Sequence, residues 1–187
     1  MSTILCLLTG FVAALFVVAL WTRAFSFRAQ KPADYAGKGP EFDIRQVLDG
    51  PLTCEGVIYG LTGRVTSRFV AEMHATWDGN VGRMTEHFRY DSGATQDREW
   101  TLTLGNDGSI RAEAPDLVGP GKGMQSGAGV VLNYRIKLPA DAGGHELDTT
   151  DWMYLVENGS IINRSQFRKF GIKVAELVAT MRRVEAV

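Results

Sequence analysis

The chain begins with an apolar run that reaches from Ile4 to Trp21 and contains no charged residue. A helix rises about 1.5 Å per residue and the hydrocarbon core of a bilayer is about 30 Å thick, so this run can cross a membrane once. A cleaved signal peptide is the alternative, but no Lys or Arg precedes Ile4 and no small-residue cleavage site closes the run. We therefore predict an uncleaved transmembrane anchor over residues 1–22.

The residues after the run predict a tether and bear on orientation. Residues 23–41 contain Pro32, Pro40 and charges of both signs, which is typical of a linker. Arg23, Arg28 and Lys31 follow the run while only the terminal amine precedes it. The positive-inside rule therefore favours a cytoplasmic domain after a single inner-membrane span.

The remaining residues 42–187 have the size of one domain with its own core. Lys and Arg number 20 against 21 Asp and Glu, and no basic stripe is present, which argues against a nucleic-acid partner. Cys6 and Cys54 are the two cysteines, and Cys6 lies in the apolar run, so we expect no disulfide. We also predict no metal or other cofactor, because the three histidines have no metal-binding spacing.

After Cys54 the apolar residues alternate with a period of two, which indicates β-strands with one buried face. Tight-turn residues separate these runs, as in Asp78-Gly79-Asn80 and Asn106-Asp107-Gly108. The predicted strands cover roughly 53–60, 65–77, 81–90, 97–105, 109–114, 127–138, 145–156 and 159–166, with 174–183 either a further strand or a helix. A mainly β fold follows, closed as a small antiparallel up-and-down barrel or, alternatively, packed as a two-sheet sandwich.

Two shorter segments complete this description. Asp43 to Leu48 has the pattern of a short helix that is capped by Asp43 and stopped by Asp49-Gly50-Pro51. Residues 119–123 are rich in glycine but lack the ending of a phosphate-binding loop. We expect this glycine-rich stretch to be a long flexible loop.

Several polar residues fall on the apolar face of the predicted strands. Glu86 shares its face with Met84 and Phe88, and Arg98 shares its face with Trp100. Asp116 and Asp151 fall on inward positions by the same rule. A buried unpaired charge costs several kcal/mol, so these groups require mutual pairing, a wet cavity or a ligand.

We predict that these groups line a ligand cavity open at one end of the barrel. The predicted ligand-binding residues are Glu86, Arg98, Trp100, Asp116, Tyr134, Asp151, Trp152 and Asn163. A purely structural alternative is a buried Glu86–Arg98 pair that fixes strand register. A catalytic alternative makes one inward carboxyl a general acid or base, although we assign no catalytic residue.

The order of several short motifs resembles the bacterial envelope proteins grouped as domain of unknown function 3833. The resemblance runs from about Phe42 to Arg183, and its motifs are residues 86–93, 98–100, 116–119, 151–154, 162–165 and 169–171. It implies a lipocalin-type, or calycin-like, barrel without an established activity. Many relatives resemble lipoproteins, which implies a periplasmic domain, whereas here Cys6 stands at the start of the apolar run and Thr150 replaces the first of two aspartates.

Together these features predict a membrane-tethered barrel that binds a hydrophobic or amphipathic small molecule, such as a lipid or isoprenoid, at the bacterial envelope. We expect a periplasmic barrel and leave a cytoplasmic one open. The rival functions are a calycin-like hydratase, cyclase or isomerase, and an accessory scaffold with a packed interior that docks onto an envelope complex. The sequence names no protein partner.

Overall fold

A computed structural model describes residues 2–184, without the side chains of Ser2, Arg23 and Asp141. The first helix, α1, spans Ser2–Ala24. Within it, Thr3–Thr22 has a mean hydropathy of 2.7 and is long and apolar enough to cross a membrane, a property that a signal sequence shares. The predicted apolar helix is therefore present, and its length and composition fit an anchor.

The rest of the described chain forms a closed antiparallel barrel of ten strands. The strands are β1 Gly50–Tyr59, β2 Val65–Asp78, β3 Val81–Tyr90, β4 Thr95–Leu104, β5 Ser109–Glu113, β6 Gly121–Ser126, β7 Gly129–Lys137, β8 Glu146–Leu155, β9 Ile161–Lys169 and β10 Ile172–Arg183. Each strand pairs with the next in sequence, and β10 pairs with β1. The predicted up-and-down barrel is confirmed, and the sandwich alternative is wrong.

Strand β10, which closes the barrel, is the segment for which the sequence predicted either a strand or a helix. In β10, Val178 is opposite Val57 of β1 on one side and Arg164 of β9 on the other. Pairing on both sides satisfies the backbone groups of β10 and leaves no exposed sheet edge there. The need to pair these backbone groups explains why the segment forms a strand, although its apolar residues also have a helical periodicity.

The expected flexible loop at residues 119–123 is wrong, because Gly121 begins strand β6. The alternation of apolar and polar residues could not reveal this strand, because glycine has no side chain that contributes to such a pattern. Glycines occupy these positions because a side chain there would collide with neighbouring strands. A Cβ on Gly121 would lie 2.9 Å from the Cβ of Tyr134, and one on Gly123 would lie 2.4 Å from the carbonyl oxygen of Val131.

A short helix closes one end of the barrel. Helix α2 spans Ile44–Val47, and the side chain of Asp43 accepts a hydrogen bond from the Arg45 N–H, as predicted for its N-cap. Phe42, Ile44 and Leu48 are fully buried in the core at this end. The opposite end of the barrel is its mouth, around which the 91–94, 114–120 and 138–145 loops lie.

Part of the predicted tether packs against the outside of the barrel. Two 3₁₀ turns, Phe27–Ala29 and Pro32–Asp34, follow α1, and a third lies at Ala140–Ala142 near the mouth. Phe27 is buried against Val131 and Trp152, and the Tyr35 ring lies 5.1 Å from the Trp152 ring. These contacts attach the chain to the wall formed by β7 and β8.

Candidate functional site

A cavity of about 1670 Å³ occupies the barrel and opens at the mouth, and part of this volume lies outside the barrel, because outward-facing residues such as Glu72, His74 and Thr85 also border it. Ligand pockets in proteins commonly measure about 300–1,000 Å³, so this space is large enough for an extended molecule. Seven of the eight predicted site residues line it, namely Glu86, Arg98, Trp100, Asp116, Tyr134, Asp151 and Asn163. Alternation along the strands correctly placed six of these side chains, whereas Asp116 lies outside the strands.

Trp152 lies elsewhere, and its expected place in the cavity lining is wrong. Asp151 points into the barrel, so its neighbour in β8 points outward. The Trp152 side chain is fully buried because Phe27 and Tyr35 cover it from outside. The period-two alternation that placed Asp151 inward already placed Trp152 on the outer face, so its prediction as a lining residue departed from that rule.

Arg98 joins two carboxyls at the polar side of the cavity. Glu86 and Arg98 are direct cross-strand partners in β3 and β4. The Nη1 atom of Arg98 lies 3.5 Å from Glu86 Oε2. The same guanidinium donates to both oxygens of Asp116, from Nε at 2.8 Å and from Nη2 at 3.1 Å. It also lies 4.6 Å from the centre of the Trp100 ring, which adds a cation–π contact.

Asp116 reaches this cluster from a turn. Strand β5 ends at Glu113, so the strand does not continue through Pro115 as the alternation rule required. The turn over Pro115 and Asp116 is held by hydrogen bonds from Leu117 N–H to Ala114 and from Lys137 N–H to the Asp116 carbonyl. These contacts aim the Asp116 carboxylate back at Arg98.

Burial perturbs the protonation of this cluster. Desolvation raises the pKa of Glu86 to about 7, against the opposing effects of the Arg98 charge and a hydrogen bond with Trp100. Burial by itself would lower the pKa of Arg98, but the charges of Glu86 and Asp116 raise it above its ordinary value. Oε2 of Glu86 has no hydrogen-bond partner among the described residues. The cluster thus offers a titratable carboxyl with free bonding capacity.

A second polar group surrounds Asp151. Its Oδ1 atom accepts hydrogen bonds from Asn163 Nδ2 and, at 2.8 Å, from Ser165 Oγ. The Tyr134 hydroxyl lies 3.5 Å from its Oδ2 atom. Burial raises the pKa of Asp151 above its ordinary value, although the bonds from Ser165 and Asn163 oppose this effect. Sequence reasoning missed Ser165, which the same alternation places beside Asn163 in β9.

Another part of the cavity lining is apolar and lies directly beside these polar groups, since Phe88 follows Glu86 in β3 and Leu177 is the cross-strand partner of Ser165. Phe69, Phe88 and Tyr90 pack together with ring centres 5.4 to 6.1 Å apart, and Ile58 and Leu177 continue this surface. These residues come from β10, β1, β2 and the mouth end of β3, which we call the apolar wall. Sequence reasoning treated them as ordinary core residues, because a cavity-facing side chain follows the same pattern as a packed one.

Cys54 also lines the cavity but is not activated. Desolvation, with a smaller effect of the nearby Glu86 charge, raises the pKa of its thiol to about 12. The thiolate is the reactive form of cysteine, so Cys54 is an unfavourable nucleophile at neutral pH. Within residues 2–184, no three or more His, Cys, Asp and Glu side chains gather in a metal-binding arrangement.

Two solved structures share this barrel at low sequence identity. The S-type phycobiliprotein lyase CPES from Guillardia theta is 10% identical, with 78% of this chain and 93% of that chain covered and a TM-score of 0.59. Rv2717c from M. tuberculosis is 16% identical, with 79% and 99% of the two chains covered and a TM-score of 0.53. At these identities the likeness establishes the fold alone. No curated protein matches the chain in sequence.

The family relationship is direct. The profile of the family described as "Protein of unknown function (DUF3833)" matches residues 21–183, which include the whole barrel. The resemblance seen in the short sequence motifs is thereby confirmed. This chain belongs to the DUF3833 family.

Proposed function

We propose that the protein is a membrane-tethered barrel that binds a hydrophobic or amphipathic small molecule, a lipid or an isoprenoid, at the bacterial envelope. One observation carries this proposal: the large cavity is lined both by the apolar wall and by buried polar groups next to it. A scaffold that acts only through its outer surface does not need a cavity of this size, because filling the cavity with side chains would stabilise the fold. An amphipathic ligand would contact both kinds of lining at once.

The charges of the cavity constrain the polar end of that ligand. Glu86, Asp116 and Asp151 face one guanidinium, and Arg98 already donates two hydrogen bonds to Asp116. The described lining contains no second arginine, and its lysine, Lys137, is the last residue of β7, at the mouth end. An anionic headgroup would therefore meet excess negative charge, whereas a hydroxyl or an amine could donate to Glu86 Oε2 and Asp151. We infer that the ligand presents a hydrogen-bond donor to this cluster.

The shared fold is consistent with this proposal but does not specify it. The phycobiliprotein lyase and Rv2717c have barrels of the same type. Their sequence identities are too low to transfer a site or a ligand. The argument for binding thus depends on the cavity of this chain itself.

A catalytic role is the second candidate, and the protonation of Glu86 favours it. A carboxyl with a pKa of about 7 can donate or accept a proton near neutral pH, as an isomerase, hydratase or cyclase would require. In that case Glu86→Gln would abolish conversion of a bound molecule while leaving it bound. If the molecule extracted from wild-type protein and from the variant is the same, binding without conversion is the better description.

We propose that the barrel lies on the periplasmic side of the membrane. The lipoprotein-like relatives of the family support this orientation, whereas the positive charges after α1 argue against it. Alkaline phosphatase fused after Val187 becomes active only in an oxidising compartment and would test this placement. An inactive fusion, together with a fluorescent cytoplasmic fusion at the same site, would place the barrel in the cytoplasm.

Mass spectrometry of two matched variants would test the binding proposal. Leu177 lies on the apolar wall, whereas its neighbour Val178 faces outward from the same strand. Leu177→Trp should fill part of the cavity, and Val178→Trp places the same bulk outside. The full chain would be extracted from its host membrane into lipid nanodiscs, and its bound small molecules would be compared.

We expect one molecule per chain that is present in wild type and Val178→Trp and is strongly depleted in Leu177→Trp. Annular lipids should be equal in all three samples and cancel in the comparison. Identical small-molecule content in the three proteins, with all three folded by circular dichroism, would refute the proposal.

A further inference from the structure

Two neighbouring hairpins at the mouth expose large apolar side chains. Leu61 and Val65, on the β1–β2 hairpin, are 67% and 49% exposed. Phe170 and Ile172, on the β9–β10 hairpin, are 91% and 64% exposed. Because β10 pairs with β1, the two hairpins are adjacent. We call these four residues the apolar rim.

Phe170 occupies a turn position whose backbone conformation disfavours bulky residues. Its φ is +53°, and it forms the hairpin turn with Gly171 at φ +80°. Bulky residues rarely adopt positive φ, and Asn-Gly is the preferred pair for such a turn. Since the Phe170 side chain is 91% exposed, packing within the barrel does not offset this cost. An exposed aromatic residue at a strained turn indicates a role outside the folded core.

The charges beside the apolar rim are predominantly positive, although one of them, Lys173, is paired with Glu176 of β10. Arg64, Arg168, Lys169 and Lys173 lie in residues 59–65 and 168–173, and these two segments contain no acidic residue. Lys169 also lies 5.8 Å from the centre of the Phe170 ring. Apolar tips flanked by basic side chains match the two requirements of a peripheral site on an anionic bilayer.

The membrane helix ends near β8 and β9, where Ala24 lies close to Tyr154 and Arg164, and β9 leads to the hairpin that carries Phe170. Two residues separate Ala24, the end of α1, from Phe27, which packs against the barrel, so three Cα–Cα steps join them. Such a connection reaches at most about 11 Å. Burial lowers the pKa of Arg168, and the nearby positive charge of Arg28 lowers it further, so the two side chains lie close together. Arg168 Nη1 in turn donates to the Gly171 carbonyl at the hairpin tip. A bilayer crossed by α1 therefore lies within reach of the apolar rim.

We propose that the apolar rim docks onto the surface of the lipid bilayer that α1 crosses, so that the cavity exchanges its ligand with that bilayer. This inference rests on the proposed function. The rim belongs to β1, β2, β9 and β10, and the apolar wall runs from these strands into the cavity through Ile58 and Leu177. An apolar molecule that leaves the bilayer at the rim meets a continuous apolar surface.

The depth of a fluorescent label would test the docking in the full chain. Cys6 would be replaced by Ala, while Cys54 is buried and inert to labelling. An environment-sensitive fluorophore would be attached at Phe170→Cys and, as a matched control at the closed end, at Asn158→Cys. Each protein would be reconstituted into phosphatidylcholine vesicles with and without phosphatidylglycerol, and quenching by nitroxide-labelled lipid would be measured.

We expect the label at position 170 to be quenched at least about threefold more strongly than the label at position 158, and more strongly with phosphatidylglycerol. Adding Arg64→Glu and Lys173→Glu should reduce the quenching at position 170. Equal quenching at the two positions would overturn the docking. Shielding of the label that depends on protein concentration and not on lipid would also overturn it, because that result indicates that the rim contacts a second copy of the chain. The ligand content of Leu177→Trp is measured separately, so docking can fail while binding stands.

Discussion

Glu86 and Arg98 face each other across β3 and β4, yet the guanidinium makes its two short hydrogen bonds to Asp116 and reaches Glu86 only at 3.5 Å. One positive charge therefore serves two carboxyls. Asp116 is the better neutralised of the two, while Glu86 keeps an oxygen without a hydrogen-bond partner among the described residues. This unequal sharing explains why burial can raise the pKa of Glu86 so far.

Arg98→Met should destabilise the barrel strongly at pH 8, because it leaves buried Glu86 without its cation. We expect a loss of about 3 kcal/mol in the free energy of unfolding, as when one partner of a buried ion pair is removed. Thermal or denaturant unfolding of the full chain in detergent would measure it. Arg83→Met is the matched control, since Arg83 is 72% exposed and its Glu99 partner lies 3.8 Å away. Equal losses in both variants would contradict this description.

The double variant Glu86→Gln with Arg98→Met should recover much of the stability that Arg98→Met loses. The amide is neutral, and Asp116, at the mouth, can be solvated once its partner is gone. We also expect the double variant to lose its bound molecule while remaining folded. Unchanged ligand content by mass spectrometry would remove these residues from the binding site.

Stability should fall as pH rises through the range in which Glu86 ionises. The pKa of Glu86 rises from 4.5 to about 7 on folding, so the folded state holds an extra proton between these values. By linkage, the contribution is favourable at low pH and is lost as pH rises to about 7, by about 3 kcal/mol in total. Asp151 acts in the same direction.

The difference between wild type and Glu86→Gln isolates this effect. Unfolding free energies of both proteins would be measured from pH 5 to pH 9, where groups common to both cancel. The stability of wild type relative to the variant should decline up to about pH 7 and then level off. A difference that stays constant with pH would show that Glu86 is ionised throughout.

Phe27→Ala should loosen the segment that follows α1 without unfolding the barrel. Phe27 packs against Val131 and Trp152, and the Arg164 guanidinium lies 4.9 Å from its ring. We expect trypsin to cleave after Arg28 several-fold faster in this variant, because local release exposes this site. Phe25→Ala is the control, since Phe25 is largely exposed. The same cleavage rate in both variants would show that Phe27 does not hold the segment.

Much of the cavity could be predicted from the sequence, because a strand has a fixed period of two. Glu86, Arg98 and Asp151 occupy inward positions along strands whose apolar neighbours mark the buried face. The Glu86–Arg98 pair also follows from the short turn between β3 and β4, which sets their register. These features depend only on residues close together in the chain.

Tertiary structure decided what depends on distant segments. Asp116 reaches Arg98 from a turn, Trp152 is buried from outside by Phe27 and Tyr35, and β10 is a strand because β1 and β9 pair with it. The sequence by itself determined an apolar N-terminal helix, a meander of strands and the face on which the charges lie. Closure, the cavity and the covering of the outer wall required the complete fold, because they arise from contacts between residues far apart in the chain that no local periodicity encodes.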